Sequence, residues 1–180
     1  MARLREKNYD VTYIAFSDSE NSNPGQNLRR ECGEAINYLI KSAPIILDYK
    51  TRIFFESRQS ILQYLVDYNR KNPPEVVLCP SSSSLHQDHK VIFEEAMRAF
   101  KRSSTILGYE LPYDHNFNND VNIRLEEQHI EAKISALNKY QSQSHRFYMR
   151  PELIRGHAMM RGAETDNAYA ESFEALKIIV

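Results

Sequence analysis

The sequence predicts an α/β fold in which helices cover both faces of a mostly parallel β-sheet, making three layers. Short apolar runs alternate along the chain with longer segments whose apolar residues recur every three or four positions. Turn signals typical of hairpins are missing between successive strands, so each strand is expected to be joined to the next by a crossover helix. A chain of 180 residues with 42% hydrophobic residues is long enough for one domain with its own core.

Strands are predicted where short runs of β-branched, aromatic and other apolar residues are closed by polar or turn residues. The clearest run is VTYIAF at 11–16, which ends in the polar segment 17–20. The segment 45–47 is shorter and is expected to be a strand or a connector. In chain order the expected strands lie at 11–16, 45–47, 76–79 and 105–110.

Helices are predicted where apolar residues recur at helical spacing and therefore share one face. Between residues 28 and 40 this pattern is unbroken, and Pro44 follows it as a helix breaker. In chain order the expected helices are the end of one at 2–7, then 28–40, from about 57 to 71, 88–100, 126–140 and 152–163. The Asn-rich segment 114–122 is predicted as a loop, and residues 169–175 as a tail that packs last.

Charge and composition argue against several classes of partner. The formal net charge is −1 and the pI about 6.6, with Lys and Arg scattered, so the chain lacks the basic face that nucleic acid or an anionic membrane needs. No stretch approaches the roughly 18 apolar residues of a membrane span, and the N-terminus has no apolar signal core. Cys32 and Cys79 are expected to be reduced packing residues. The sequence therefore predicts a cytoplasmic protein with a small-molecule or carbohydrate partner.

The sequence His86-Gln87-Asp88-His89 lies where a predicted strand leads into a helix, at the carboxyl edge of the sheet, where α/β proteins bind ligands. Because His86 and His89 are three residues apart, their rings are expected on the same side of the first helical turn. One ring could bind a metal while the other acts as an acid or stabilises an oxyanion, with Asp88 fixing a ring tautomer. Alternatively, Asp88 caps the helix and both histidines are solvated.

Other polar residues are weaker candidates. Asp18 and Glu20 follow the first strand and either face the same crevice as His89 or only form a turn. His115 is a candidate for approaching a substrate from the Asn-rich loop. The serine run at 81–84 could carry a nucleophile or bind phosphate, but it lacks glycine, so a flexible polar connector is favoured. The remaining histidines are expected at the surface or in packing, and they are His129, His145 and His157.

Four blocks of the chain, in order, resemble the PIG-L/LmbE family of zinc-dependent N-acetylglucosaminyl deacetylases. The ordered set covers nearly the whole chain and is far more specific than any single block. The resemblance implies a Rossmann-like sheet and a substrate that is an N-acetylated sugar or glycoconjugate. The first block is 11–20, which ends in Ser17-Asp18-Ser19-Glu20, and the second is His86-Gln87-Asp88-His89, which resembles the family's His-Pro-Asp-His. The third runs from Lys133-Ile134 to Gln141-Ser142-Gln143. The fourth consists of Arg161-Gly162-Ala163 and Tyr169-Ala170-Glu171-Ser172-Phe173.

The resemblance also implies roles for individual residues. His89 corresponds to a zinc ligand, His86 to the imidazole that stabilises the oxyanion and assists the leaving amine, and Asp88 to the partner that orients His86. Zinc would polarise the acetamide carbonyl while a carboxylate base helps water to attack, giving a free amino sugar and acetate. Arg30 is the chosen candidate for binding substrate hydroxyls, with Arg29 as the other possibility.

One part of the family pattern is missing from this sequence. The family's first strand ends in His-Pro-Asp-Asp-Glu, which supplies two zinc ligands and the base, and no such element is present. The first strand is therefore expected to be missing, with the domain incomplete at its N-terminus by about 20 to 40 residues. Zinc is expected to bind the complete protein, but weakly or not at all to this chain, which should be inactive or nearly so.

Three functional hypotheses remain open. The first is a deacetylase whose catalytic N-terminus is missing here, and the second is a non-catalytic sugar-binding or scaffolding pseudoenzyme of the same fold. The third lies outside the family and is an α/β binding module in which the histidine pair is incidental. Because a missing strand would leave its neighbours unpaired, a homo-oligomer is also possible.

Overall fold

A computed structural model describes residues 1–179 of the chain and shows a mixed α/β fold, as predicted. None of the helices in this part of the chain has the length and apolar character that crossing a membrane requires. The helices are α1 (Ala2–Glu6), α2 (Leu28–Ile40), α3 (Arg58–Lys71), α4 (Gln87–Phe100), α5 (Glu127–Leu137) and α6 (Pro151–Ala163). The strands are β1 (Ile14–Ala15), β2 (Ile45–Ile46), β3 (Val76–Pro80), β4 (Thr105–Tyr109), β5 (Val121–Leu125) and β6 (Tyr169–Lys177).

Successive strands in the first part of the chain pair in parallel, which confirms the predicted fold class. Strand β1 pairs with β2, and β3 pairs with β4 over five residues from Val76 opposite Thr105 to Pro80 opposite Tyr109. The larger sheet has the order β3, β4, β6, β5, and β6 runs antiparallel to β4. The antiparallel strand was not predicted, because the segment expected to be a packed tail is in fact β6.

Contacts divide the chain into two compact units. One unit consists of Met1–Thr51 and Arg124–Ala170, and the other of Arg52–Ile123 with the chain from Glu171 onward. The single domain predicted over 1–180 stays a prediction.

In the first unit, the apolar face of α2 packs against α5. Its buried residues recur at the spacing seen in the sequence, from Cys32 to Ile40, and meet Ala136 of α5. Burial raises the pKa of the Cys32 thiol and raises the pKa of Tyr13 to about 12, so both groups stay protonated at neutral pH. A second cluster joins Ile130 and Ile134 of α5 to α6.

In the second unit, α3 and α4 pack against each other, and α4 also packs on β3. Ile61 and Leu65 of α3 are buried, as are Val91 and Phe100 of α4. Strand β3 lies at one end of its sheet within the described residues, and Val76 on it is 53% exposed. An edge strand with an exposed apolar side chain favours association with another chain, although a homo-oligomer stays a prediction.

A fully buried carboxylate links the two helices of this unit. Glu95 of α4 is 0% exposed and accepts hydrogen bonds from Arg58 of α3 at 2.5 and 2.8 Å. Its second oxygen accepts one from Arg98 at 2.8 Å. A buried charge is tolerated only when it is paired and hydrogen-bonded, and two guanidinium groups satisfy this one.

We expect Glu95→Gln to lower the free energy of unfolding by about 2–3 kcal/mol, because two arginines lose their buried partner. Urea unfolding followed by circular dichroism measures this change. Glu34→Gln is the matched control, since Glu34 makes only an exposed ion pair with Arg30, and it should change stability by less than about 0.5 kcal/mol. Equal effects of the two substitutions would contradict the role given to Glu95.

Candidate functional site

The loop 81–84, which leads from β3 into α4, is held in place by hydrogen bonds of its serines. Ser81 Oγ donates a hydrogen bond to Asp114 Oδ2 at 2.9 Å. Ser82 donates to the Glu174 carboxylate through its backbone N–H at 2.8 Å and through its hydroxyl at 2.5 Å. Residues 81–84 form a polar connector, as expected, and side chains from two other segments bind it. The flexibility expected of this connector stays a prediction.

Gly108 on β4 makes this close approach possible. A Cβ added at Gly108 would lie 2.8 Å from Ser81 Cα and 3.2 Å from Glu174 Oε2. Backbone atoms cannot move aside as a flexible side chain can, so only glycine allows the loop to pass this close to the strand.

His86 and His89 lie together at the start of α4. Their ring centroids are 4.6 Å apart, and the rings occupy the same side of the first turn, as their spacing predicts. His86 Nδ1 accepts a hydrogen bond from the backbone N–H of Asp88 at 3.2 Å, so His86 caps the helix. Burial is the main cause that lowers the pKa of His89, and the neighbouring His86 charge adds to it. His89 is therefore neutral at neutral pH.

Asp88 is buried, and its carboxylate binds backbone groups. Its two oxygens accept hydrogen bonds from the N–H groups of Arg52 and of Phe54, the latter at 3.2 Å. Its link to His86 runs through the Asp88 backbone N–H. The role of orienting His86 therefore remains a prediction, while the carboxylate fixes the start of α4 to the segment before α3.

Asp114 was not singled out in the sequence, although it lies beside the serine loop. Its Oδ2 accepts hydrogen bonds from Ser81 Oγ and from the backbone N–H of Leu111 at 3.0 Å. Its Oδ1 is buried and has no hydrogen-bond partner among residues 1–179. A buried acceptor without a partner is unusual and is a natural place for a ligand donor. His115, which was a candidate, is exposed next to it.

A polar cavity of about 350 Å³ lies in the first unit. Arg29 lines this cavity and binds Asp18 at 3.2 Å, the carbonyl of Ile46 at 3.3 Å, and Asp48. Asp18 also accepts a hydrogen bond from the backbone N–H of Glu20 at 3.0 Å, so it forms a turn as well as lining the cavity. The lining residues are Asp18, Glu20, Gly25, Gln26, Asn27 and Arg29.

Arg30, the residue chosen for substrate binding, has different contacts. It forms an exposed ion pair with Glu34 at 2.8 Å, one helical turn along α2. Arg29, the other possibility, is the arginine that lines the cavity. The role predicted for Arg30 stays a prediction, and the cavity favours Arg29.

The zinc ion implied by the family resemblance needs about three protein ligands. Within residues 1–179, the His, Cys, Asp and Glu side chains form no group of three or more that could hold a metal ion. His89 is therefore a single candidate ligand, and the residues described do not fit a zinc centre.

The structure is similar to several solved proteins. It matches a conserved protein from Thermus thermophilus with a TM-score of 0.82 and 17% identity, over 99% of this chain and 87% of the other. It matches the N,N'-diacetylchitobiose deacetylase of Pyrococcus horikoshii, solved with an inhibitor, with a TM-score of 0.73 and 20% identity, over 96% of this chain and 75% of the other. The fold is that of the PIG-L/LmbE-type deacetylases.

The same fold also supports other chemistry. The chain matches the 4-carboxy-2-hydroxymuconate hydratase of Pseudomonas putida with a TM-score of 0.76 and 17% identity, over 99% of this chain and 90% of the other. No protein-family model matches the sequence, and no curated protein matches it. At these identities the comparisons establish the fold and leave the reaction open.

We expect Gly108→Ala to destabilise the protein by about 1–3 kcal/mol, because the new methyl group would overlap the Ser81 backbone. Gly156→Ala is the control, since an added Cβ there meets nothing within 4 Å and the position is inside α6. That substitution should raise stability by roughly 0.5–1 kcal/mol through helix propensity. Urea unfolding of both variants checks the opposite signs, and a neutral Gly108→Ala would show that the loop is not packed this tightly.

Proposed function

We propose that the protein recognises N-acetylated amino sugars, free or in glycoconjugates, and that residues 1–179 do not hydrolyse them. The proposal rests on the His86–His89 pair, in which His89 contacts Ser84 of the loop 81–84. The fold that carries this pair is shared with a chitobiose deacetylase. The ends of parallel strands, where this pair lies, are the usual ligand site of α/β sheets.

The polar cavity of the first unit, considered by itself, is lined by groups that suit a sugar. Carboxylate, amide and guanidinium groups bind hydroxyl groups well, and all three line this cavity through Asp18, Gln26 and Arg29. A volume of about 350 Å³ is at the lower end of the range for small-molecule sites and suits a monosaccharide. A neutral monosaccharide can bind to such polar groups without a cationic surface or an extended apolar surface.

Recognition without hydrolysis follows from the chemistry of the amide. Attack on an acetamide by water at neutral pH needs an activated water molecule and a stabilised oxyanion. A ring N–H of either histidine can donate a hydrogen bond to the oxyanion, but a metal that activates water needs more ligands than the described residues bring together.

A zinc-dependent N-deacetylase is the second candidate. It is favoured by the His86-Gln87-Asp88-His89 sequence, which resembles the His-Pro-Asp-His element of the family. In that case His89→Ala should remove both zinc and activity, whereas His86→Ala should retain zinc and lose turnover.

Titration with sugars, followed by NMR, separates the two candidates. We expect N-acetylglucosamine and N,N'-diacetylchitobiose to bind with the same affinity before and after treatment with EDTA, and glucosamine to bind at least about tenfold more weakly. No acetate should be released when zinc is added. Release of acetate together with stoichiometric zinc would favour the deacetylase, and equal binding of glucosamine would rule out recognition of the acetyl group.

Substitution of the histidines locates the binding site. His86→Gln and His89→Gln should weaken binding of N-acetylglucosamine about tenfold, because each removes a hydrogen-bonding ring from the site. His145→Gln is the matched control, since His145 is exposed in the other unit. Unchanged binding by both site variants would place the sugar elsewhere.

A further inference from the structure

The hydroxyl of Ser84 contacts one ring nitrogen of His89. Ser84 is 6% exposed, and its Oγ lies 3.1 Å from His89 Nδ1. Among residues 1–179, this nitrogen is the hydrogen-bond partner that the structure gives to the Ser84 hydroxyl. The direction of this bond therefore decides which nitrogen of neutral His89 carries the proton.

The bond can run from His89 Nδ1–H to Ser84 Oγ or from Ser84 Oγ–H to His89 Nδ1, and each direction leaves a different polar group unpaired. If His89 Nδ1–H donated to Ser84, the buried hydroxyl proton would have no acceptor within the described part of the chain. If Ser84 donates to Nδ1, its proton is paired and only acceptor capacity is left unused, which costs less. His89 then carries its proton on Nε2, and Nε2–H is free to donate to a ligand.

Asp114 supplies a complementary acceptor near this ring. Its Oδ1 is buried without a partner among the described residues, while its Oδ2 is held by Ser81 and Leu111. Ser81 binds both Asp114 and Ser84, since its hydroxyl donates to Asp114 Oδ2 at 2.9 Å and its carbonyl accepts from the backbone N–H of Ser84 at 3.3 Å. The negative charge of Asp114 also opposes the effect of burial on the pKa of His89. A donor and an acceptor that are both bound to the loop 81–84 match a secondary amide, whose carbonyl accepts and whose N–H donates.

We propose that Ser84 holds His89 in the Nε2–H tautomer, and that His89 Nε2–H and Asp114 Oδ1 together bind the two polar groups of a secondary amide. The identity of that amide as the acetamido group of a sugar rests on the proposed function, whereas the tautomer does not. In this state His89 is a hydrogen-bond donor, because Nε2 has no lone pair to offer to a metal. This differs from the ligand role that the family resemblance implies.

The tautomer is measured without any ligand. Two-dimensional ¹H–¹⁵N spectra at pH 8, where His89 is neutral, distinguish a protonated Nε2 from a protonated Nδ1. We expect Nε2–H in the wild type, loss of the Nδ1 hydrogen-bond shift in Ser84→Ala, and its restoration in Ser84→Thr, which keeps the hydroxyl. Ser60→Ala, at an exposed serine of α3, is the control and should leave the His89 signals unchanged.

Binding is then measured by NMR titration with N-acetylglucosamine and, as the matched probe, glucosamine. Asp114→Asn is the decisive variant, because its oxygen can still accept from Ser81 and Leu111 while its NH₂ group replaces the free acceptor with a donor. We expect Asp114→Asn to weaken N-acetylglucosamine binding about tenfold and Ser84→Ala several-fold, with Ser84→Thr close to the wild type. Binding of glucosamine should not respond to any of these changes.

Each outcome separates this inference from the proposed function. An Nδ1–H tautomer in the wild type overturns the inference whatever the sugars do. An Nε2–H tautomer with unchanged sugar affinity in Asp114→Asn overturns the amide site and leaves the proposed function standing. If N-acetylglucosamine does not bind the wild type at all, the proposed function fails and the amide site fails with it, while the tautomer is still read from the spectra.

Discussion

The contact on which the candidate site depends most is the one between the Glu174 carboxylate and the loop before α4. Glu174 is buried on β6 and accepts hydrogen bonds from the N–H and hydroxyl of Ser82 and from the side chain of Asn118 at 3.3 Å. It thereby connects the last strand to two loops at once. A buried carboxylate without such donors is costly, so the loop geometry and the burial of Glu174 require each other.

The same use of acidic side chains recurs in both units. Asp88 is buried and accepts from the backbone of Arg52 and Phe54, and Glu31 accepts from the backbone N–H of Ser142 at 3.0 Å and from its hydroxyl at 2.6 Å. Carboxylates that anchor loops in this way have their lone pairs occupied and are poor candidates for metal ligands. Asp88, the carboxylate next to His89 in the sequence, is occupied in this way, and the described residues form no group of three that could hold a metal ion.

The sequence predicted what depends on neighbouring residues and missed what depends on distant ones. Helix α2 begins and ends at Leu28 and Ile40, the residues that its apolar spacing predicts, and the proximity of His86 and His89 follows from one helical turn. Strand β6 was missed because it pairs with β4, a strand far away in the chain, and its Glu174 is bonded to a serine 92 residues away, so no local pattern reveals its partners. The free oxygen of Asp114 is equally hidden, since aspartate in an Asn-rich loop is ordinary in sequence.

A fold that serves both a deacetylase and a hydratase leaves the chemistry to a few polar atoms. In this chain the proton of the Ser84 hydroxyl decides which ring nitrogen of His89 is protonated. For His89 to offer Nε2 to a metal, its proton must move to Nδ1 and the Ser84 hydroxyl must turn away and lose its acceptor. The Ser84 hydroxyl, two positions before His86, therefore favours His89 as a hydrogen-bond donor over His89 as a metal ligand.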